Sequence, residues 1–150
     1  MDLTRLRLGE WLVAAGGVAL IASLALDWYG ARGRAEALSG FESFSVLDIY
    51  LVLVAALGLA VFVLQATQRS PALPVGAAVL TTVLGAVAVL LVAYRIVNQP
   101  GDNEFIAVQP WAWVGLAAAT LLTAGAWLSL RAERVRGLPP GPEPELRPPP

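Results

Sequence analysis

The sequence predicts an all-α fold: an antiparallel four-helix transmembrane bundle followed by a disordered Pro-rich tail. Three observations carry this. Of 150 residues, 57% are hydrophobic and only 14% charged, where a soluble domain carries about 25% charged residues. Four long apolar runs are separated by short polar breaks. None of the runs alternates with period two, as the strands of a membrane barrel would.

The first run is Trp11 to Leu26, extended by Trp28 and Tyr29. The second is Val46 to Leu64, interrupted only by Asp48, the third Pro74 to Tyr94, and the fourth Pro110 to Leu130. A helix crosses the hydrocarbon core with about 20 residues, and backbone polar groups in lipid must pair within their own segment. The runs therefore predict helices over about 9–29, 42–66, 73–97 and 110–131 within a transmembrane domain spanning 1–136. Pro74 and Pro110 suit first-turn positions, where a missing N–H costs nothing. The first run also has features of a cleaved signal peptide: Arg5 and Arg7 precede it, and Ser23-Leu24-Ala25 resembles a small-x-small site. Its length, Glu10 at its start and its Asp27-Trp28-Tyr29 ending favour a retained helix.

The breaks read as loops. Asp27 to Ser45 contains Gly30, Gly33 and Gly40; Gln65 to Leu73 contains Arg69 and Pro71; Val97 to Gln109 contains Asn98-Gln99-Pro100-Gly101-Asp102, a turn cluster. The segment 137–150, GLPPGPEPELRPPP, is too rich in proline for helix or sheet and is expected to be extended and disordered.

An even number of spans places both termini on one side. Arg5, Arg7, Arg69, Arg131, Arg134, Arg136 and Arg147 share that side, against Arg32, Arg34 and Arg95 on the other. The positive-inside bias makes the termini cytoplasmic. The outer side then carries Asp27, Glu36, Glu42, Asp48, Asp102 and Glu104, six acids against three arginines. Aromatic residues sort to the two boundaries: Trp28, Tyr29, Phe44, Tyr50, Tyr94, Trp111 and Trp113 outside, Trp11 and Trp127 inside.

Two acids stand at the head of the second run. Ser39-Gly40-Phe41-Glu42 and Ser45-Val46-Leu47-Asp48 both fit the capping box, and either can start the helix. Asp48 and Arg95 lie at matching depths just inside the outer boundary, which predicts a structural ion pair or a shared hydrogen-bond network between the second and third helices. On the inner side, Glu10 is expected to pair similarly with Arg69 or Arg131. Small residues recur at helix-contact spacing: Ala15, Gly16, Gly17 and Ala19; Ala77, Thr81 and Gly85; Gly115, Ala119 and Thr123. Thr81 and Thr82 are expected to hydrogen-bond across helices.

Function is narrowed by composition. With no Cys and no His, thiolate chemistry, zinc-thiolate sites and the usual neutral-pH general base are excluded. A net charge of −1 offers no basic field for nucleic acid. The middle of each run is uncharged, unlike an ion-coupled transporter or proton pump. No catalytic, cofactor-binding or metal-binding residues are assigned, and no cofactor is expected. The reading is non-enzymatic: an accessory, structural or scaffolding subunit acting through helix packing and outer-loop contacts. Its partners would be the lipid bilayer and another membrane protein or a second copy. The outer-face interaction residues are Trp28, Tyr29, Phe41, Glu42, Phe44, Trp111 and Trp113. The alternative is a small-solute or lipid transporter or channel acting as an oligomer.

The Trp-Tyr end of the first run, the Phe-Ser-Val-Leu-Asp entry to the second and the Tyr-Arg end of the third resemble small, functionally uncharacterised four-helix integral membrane proteins of high-GC actinobacteria. The likeness covers most of residues 9–130. It implies a bacterial plasma-membrane location and supplies no activity.

Overall fold

The computed structural model describes residues 6–33, 36–67, 72–100 and 104–134. The predicted tail, 137–150, lies outside the described residues. The chain is mostly helical. In order it forms α1 (Leu8–Leu24), β1 (Asp27–Ala31), β2 (Ala37–Ser39), α2 (Gly40–Ser43), α3 (Leu47–Thr67), α4 (Ala72–Val97), β3 (Ile106–Val108) and α5 (Pro110–Arg134).

Three helices are long and apolar enough to cross a membrane: α3, α4 from Leu73, and α5 through Ala132. At 1.5 Å per residue, the 21 residues of α3 rise about 31 Å, close to the hydrocarbon thickness. The 17 residues of α1 rise about 26 Å. This helix stops at Leu24, five residues before the predicted end, because the chain there turns into β1. Its opposite end is capped by Glu10, whose carboxylate accepts the Arg7 backbone N–H at 2.7 Å. That bond occupies the acid predicted to meet Arg69 or Arg131. Arg69 lies outside the described residues, and Arg131 instead stacks over the Trp127 ring at 5.4 Å.

Helix α1 packs on α5 and α3, and α4 packs on the same two helices. The α1–α5 seam brings backbone onto backbone. A Cβ built at Gly16 would lie 2.5 Å from the Leu122 nitrogen, and one at Gly125 would lie 2.6 Å from the Val13 nitrogen. Glycine is needed at both because anything larger strikes main chain rather than a side chain that can turn away. Backbone this close gains dispersion contacts along the seam. On the second face of α1, Gly17 approaches the carbonyl of Ala55 on α3. Of the predicted smooth face, Gly16 and Gly17 are buried while Ala15 is exposed. Thr82 donates to the Ala78 carbonyl of its own helix at 2.7 Å. The Thr81 hydroxyl is buried without a hydrogen-bond partner, so the expected bonds between helices do not form.

The all-α expectation needs one correction. The first and third breaks together build a three-stranded antiparallel sheet of order β2-β1-β3. Tyr29 pairs with Leu38 on one side and Val108 on the other. Gly33, with φ of 80°, makes the left-handed turn that follows β1 and is free of the Cβ penalty there. The strands of three residues, Ala37–Ser39 and Ile106–Val108, are too short for period-two alternation to register. Only pairing with β1, over long sequence separations, defines them.

Candidate functional site

The sheet and α2 sit over the helix ends at the α1-to-β1 junction, fixed by an aromatic cluster. The register between β1 and β2 slips between Asp27 and Tyr29. Such a bulge interrupts strand alternation, and the consecutive residues Trp28 and Tyr29 are both buried, at 0% and 1% exposure. Both rings meet Phe44 edge-on, with centroids 5.4 Å and 5.9 Å away. The Trp28 indole N–H donates to the Ser23 carbonyl at 2.7 Å, and its ring fills the space beside Gly115, where a Cβ would collide with it. The backbone of Trp28 also accepts the Gln109 N–H at 2.8 Å, tying β1 to the start of α5.

Tyr29 reaches the opposite side of this cluster. Its hydroxyl donates to the Arg95 carbonyl at 3.0 Å, satisfying one of the carbonyls left open in the last turn of α4. Burial pushes the phenol up to about 12, partly offset by the positive charge of Arg95. The Arg95 guanidinium lies over Phe44, 5.5 Å from the ring centroid, a cation–π contact typically of about 0.5–2 kcal/mol.

The predicted Asp48–Arg95 ion pair is not formed. Asp48 turns back on its own helix, its Oδ1 accepting the Ile49 N–H at 2.8 Å. Arg95 rests on Phe44 instead. Matching depth along two helices does not fix matching azimuth, and a first-turn acid has free amides close by. Of the two candidate capping boxes, that of Ser39 is made. Ser39 Oγ accepts the Glu42 N–H at 3.3 Å, and Glu42 Oε2 accepts the Ser39 N–H at 2.9 Å. These backbone and hydroxyl donors of Ser39 hold the Glu42 carboxyl below its ordinary value. The box starts the four-residue α2 rather than the spanning helix, which begins only at Leu47.

The predicted outer-face residues thus divide. Trp28, Tyr29 and Phe44 are buried, which corrects their assignment as contact residues: they hold the cap onto the helices. Phe41, Glu42, Trp111 and Trp113 are exposed, the first two on α2 and the tryptophans in the first turn of α5. Adjacent to the cluster runs an open groove of about 650 Å³ between the start of α3 and the end of α4, lined by Phe44, Leu47, Tyr50, Leu91, Tyr94 and Arg95 among others. Tyr50 bridges these two helices by donating to the Leu84 carbonyl at 2.7 Å.

No local sequence pattern marks the groove, the Ser23–Trp28 bond or the seat at Gly115. Gly115 carried a signal as a small residue, but its use is to receive a ring rather than a helix. Among the described residues no cluster of His, Cys, Asp and Glu could hold a metal ion. Comparison with protein-family models, curated proteins and solved structures finds no match to this chain.

Proposed function

We propose that the protein is a non-catalytic accessory or scaffolding subunit of a bacterial plasma membrane. In this reading α1, α3, α4 and α5 form an antiparallel transmembrane bundle with both termini cytoplasmic. The capped end then faces outward. Support for the arrangement comes from the packing of α1 and α4 each against both α3 and α5, and from the arginine bias between the two sides.

The observation that carries the reading is the cap. Sheet and α2 are locked to the helices by Trp28, Tyr29 and Phe44, while Phe41, Trp111 and Trp113 remain 41%, 43% and 55% exposed. A rigid platform with protruding aromatics is suited to contact, since large rings offer area at low entropic cost. The helices beneath it are filled by Leu20, Leu51, Val54, Val92 and Leu122, and the α1–α5 seam is closed backbone to backbone. Such packing favours a fixed contact surface over movement of solute between the helices.

Cross-linking in native membrane followed by mass spectrometry tests this. The reading expects cross-links from the Phe41–Trp111–Trp113 rim to another membrane protein or a second copy, weakened by a Phe41→Ser/Trp113→Ser double variant. Solute flux through liposomes holding the protein alone, with no rim cross-links, would support an oligomeric transporter and overturn it.

A further inference from the structure

We propose that the groove between the start of α3 and the end of α4 is a binding site for an anionic phospholipid, with Arg95 holding the phosphate and Leu47, Leu91 and Tyr50 receiving the first part of an acyl chain. The site rests on the reading that these helices span a membrane; it does not depend on any protein partner.

The guanidinium decides the chemistry. Arginine carries five N–H donors and no acceptor. Among the described residues no carboxylate lies within ion-pair distance of Arg95 and no hydrogen bond consumes its side-chain donors, whose one specific contact is the Phe44 ring face. Asp48, in the first turn of α3, commits an oxygen to the Ile49 N–H, and Asp102 lies outside the described residues. From the cap, Tyr29 bonds to the Arg95 backbone carbonyl and not to its guanidinium. A cation positioned by a ring, with no anion beside it among the described residues, in the last turn of a spanning helix, has charge complementarity for a bidentate partner such as phosphate.

The groove supplies the rest. Its walls below Arg95 are apolar, formed by Leu47 and Leu91 with the Tyr50 ring. The Tyr50 hydroxyl is spent on the Leu84 carbonyl, so that residue presents ring rather than donor. Tyr94 stands on the same wall and accepts the Asn98 side-chain N–H at 2.6 Å, which orients its hydroxyl and leaves its proton to donate. A cation with a hydroxyl at the level of the helix ends, above an apolar trough, matches a lipid by headgroup and chain together. It matches a free phosphate ion by headgroup alone.

The test uses the full chain in mild detergent, titrated with dioctanoyl phosphatidylglycerol, dioctanoyl phosphatidylcholine and glycerol 3-phosphate, read by native mass spectrometry and thermal melting. Insertion into vesicles is checked on the same preparations, so that failure of the membrane reading is seen separately. Both lipids offer Arg95 a phosphodiester, but the quaternary ammonium of phosphatidylcholine opposes the guanidinium, so phosphatidylglycerol is expected to bind at least about tenfold more tightly. Arg95→Gln, which keeps the backbone carbonyl used by Tyr29, should erase that preference, and Arg95→Lys should retain part of it. Leu91→Trp, which fills the trough one turn from Arg95 and keeps the cation, should weaken both lipids; it also serves as the test should Arg95→Gln fail to fold. Equal affinity for the two lipids, a preference that survives Arg95→Gln, affinities for both lipids that Leu91→Trp leaves unchanged, or glycerol 3-phosphate binding as tightly as phosphatidylglycerol would overturn the site.

Discussion

Replacing Gly16 with alanine is predicted to destabilise the protein, while the same change at Gly76 is not. At Gly16 the added methyl would meet the Leu122 nitrogen at 2.5 Å, the Leu122 Cα at 2.8 Å and the Ala118 carbonyl oxygen at 2.9 Å. Ordinary contact starts at 3.4 Å, so α5 must withdraw by about 0.9 Å. All three atoms are backbone, and no rotamer change relieves them. A gap of about 0.5–1 Å forfeits a quarter to a half of each dispersion contact along the seam. Overpacking of this kind costs about 1–3 kcal/mol. The helix-propensity gain of alanine over glycine, up to about 1 kcal/mol in water, is reduced in lipid, where the segment stays helical in any case. A net loss of about 2 kcal/mol results for Gly16→Ala. Gly76 has nothing within 4 Å of its missing Cβ, so Gly76→Ala should be neutral or stabilising by up to about 1 kcal/mol. Melting in one detergent, with both variants measured beside the parent chain, reads the contrast. Equal melting temperatures for the two variants would refute close α1–α5 packing.

Three further outcomes follow from the cap. Because burial raises the Tyr29 phenol from 10.0 to about 12, the unfolded chain loses that proton first as pH rises. The stabilisation is complete below about pH 10 and is lost between about 10 and 12; melting against pH should show this loss, and Tyr29→Phe should remove its share of it. Glu42 has the opposite sign: its carboxyl is held below 4.5 by Ser39, so opening of α2, followed by hydrogen exchange, should accelerate as pH falls through that lowered value, and Glu42→Gln should exchange fast throughout. Asp48 and Arg95 do not touch, so a double-mutant cycle of Asp48→Asn with Arg95→Gln should give a coupling under about 0.5 kcal/mol; a coupling above about 1.5 kcal/mol would restore the ion pair between α3 and α4.

The long apolar helices were legible because apolar run length is a local property. Predicted and observed bounds for α4 and α5 differ by three residues or fewer, and Pro110 is the first residue of α5 as expected. The cap was not legible. Its strands are short, and they exist through pairing of β1 with segments on both sides of α3 and α4, which no local pattern reports. The same limit affected the site. Composition marked Trp28, Tyr29 and Phe44 as boundary aromatics, but whether a boundary ring points outward or inward depends on a bulge at β1 and a cavity beside Gly115. The capping boxes of Ser39 and Ser45 are equivalent in sequence. The paired β2 strand ends at Ser39 and sets the non-helical backbone that an N-cap needs.

The central claim, that lipid surrounds the helices while the sheet stands in water, is tested most directly by single-cysteine labelling of this Cys-free chain. Val83, near the middle of α4, and Leu38, in β2, are 58% and 49% exposed, so neither is shielded by the protein itself. In intact cells a membrane-impermeant maleimide should modify the Leu38→Cys variant rapidly and leave the Val83→Cys variant untouched until the membrane is dissolved and the protein denatured. Modification of both at similar rates would contradict the account.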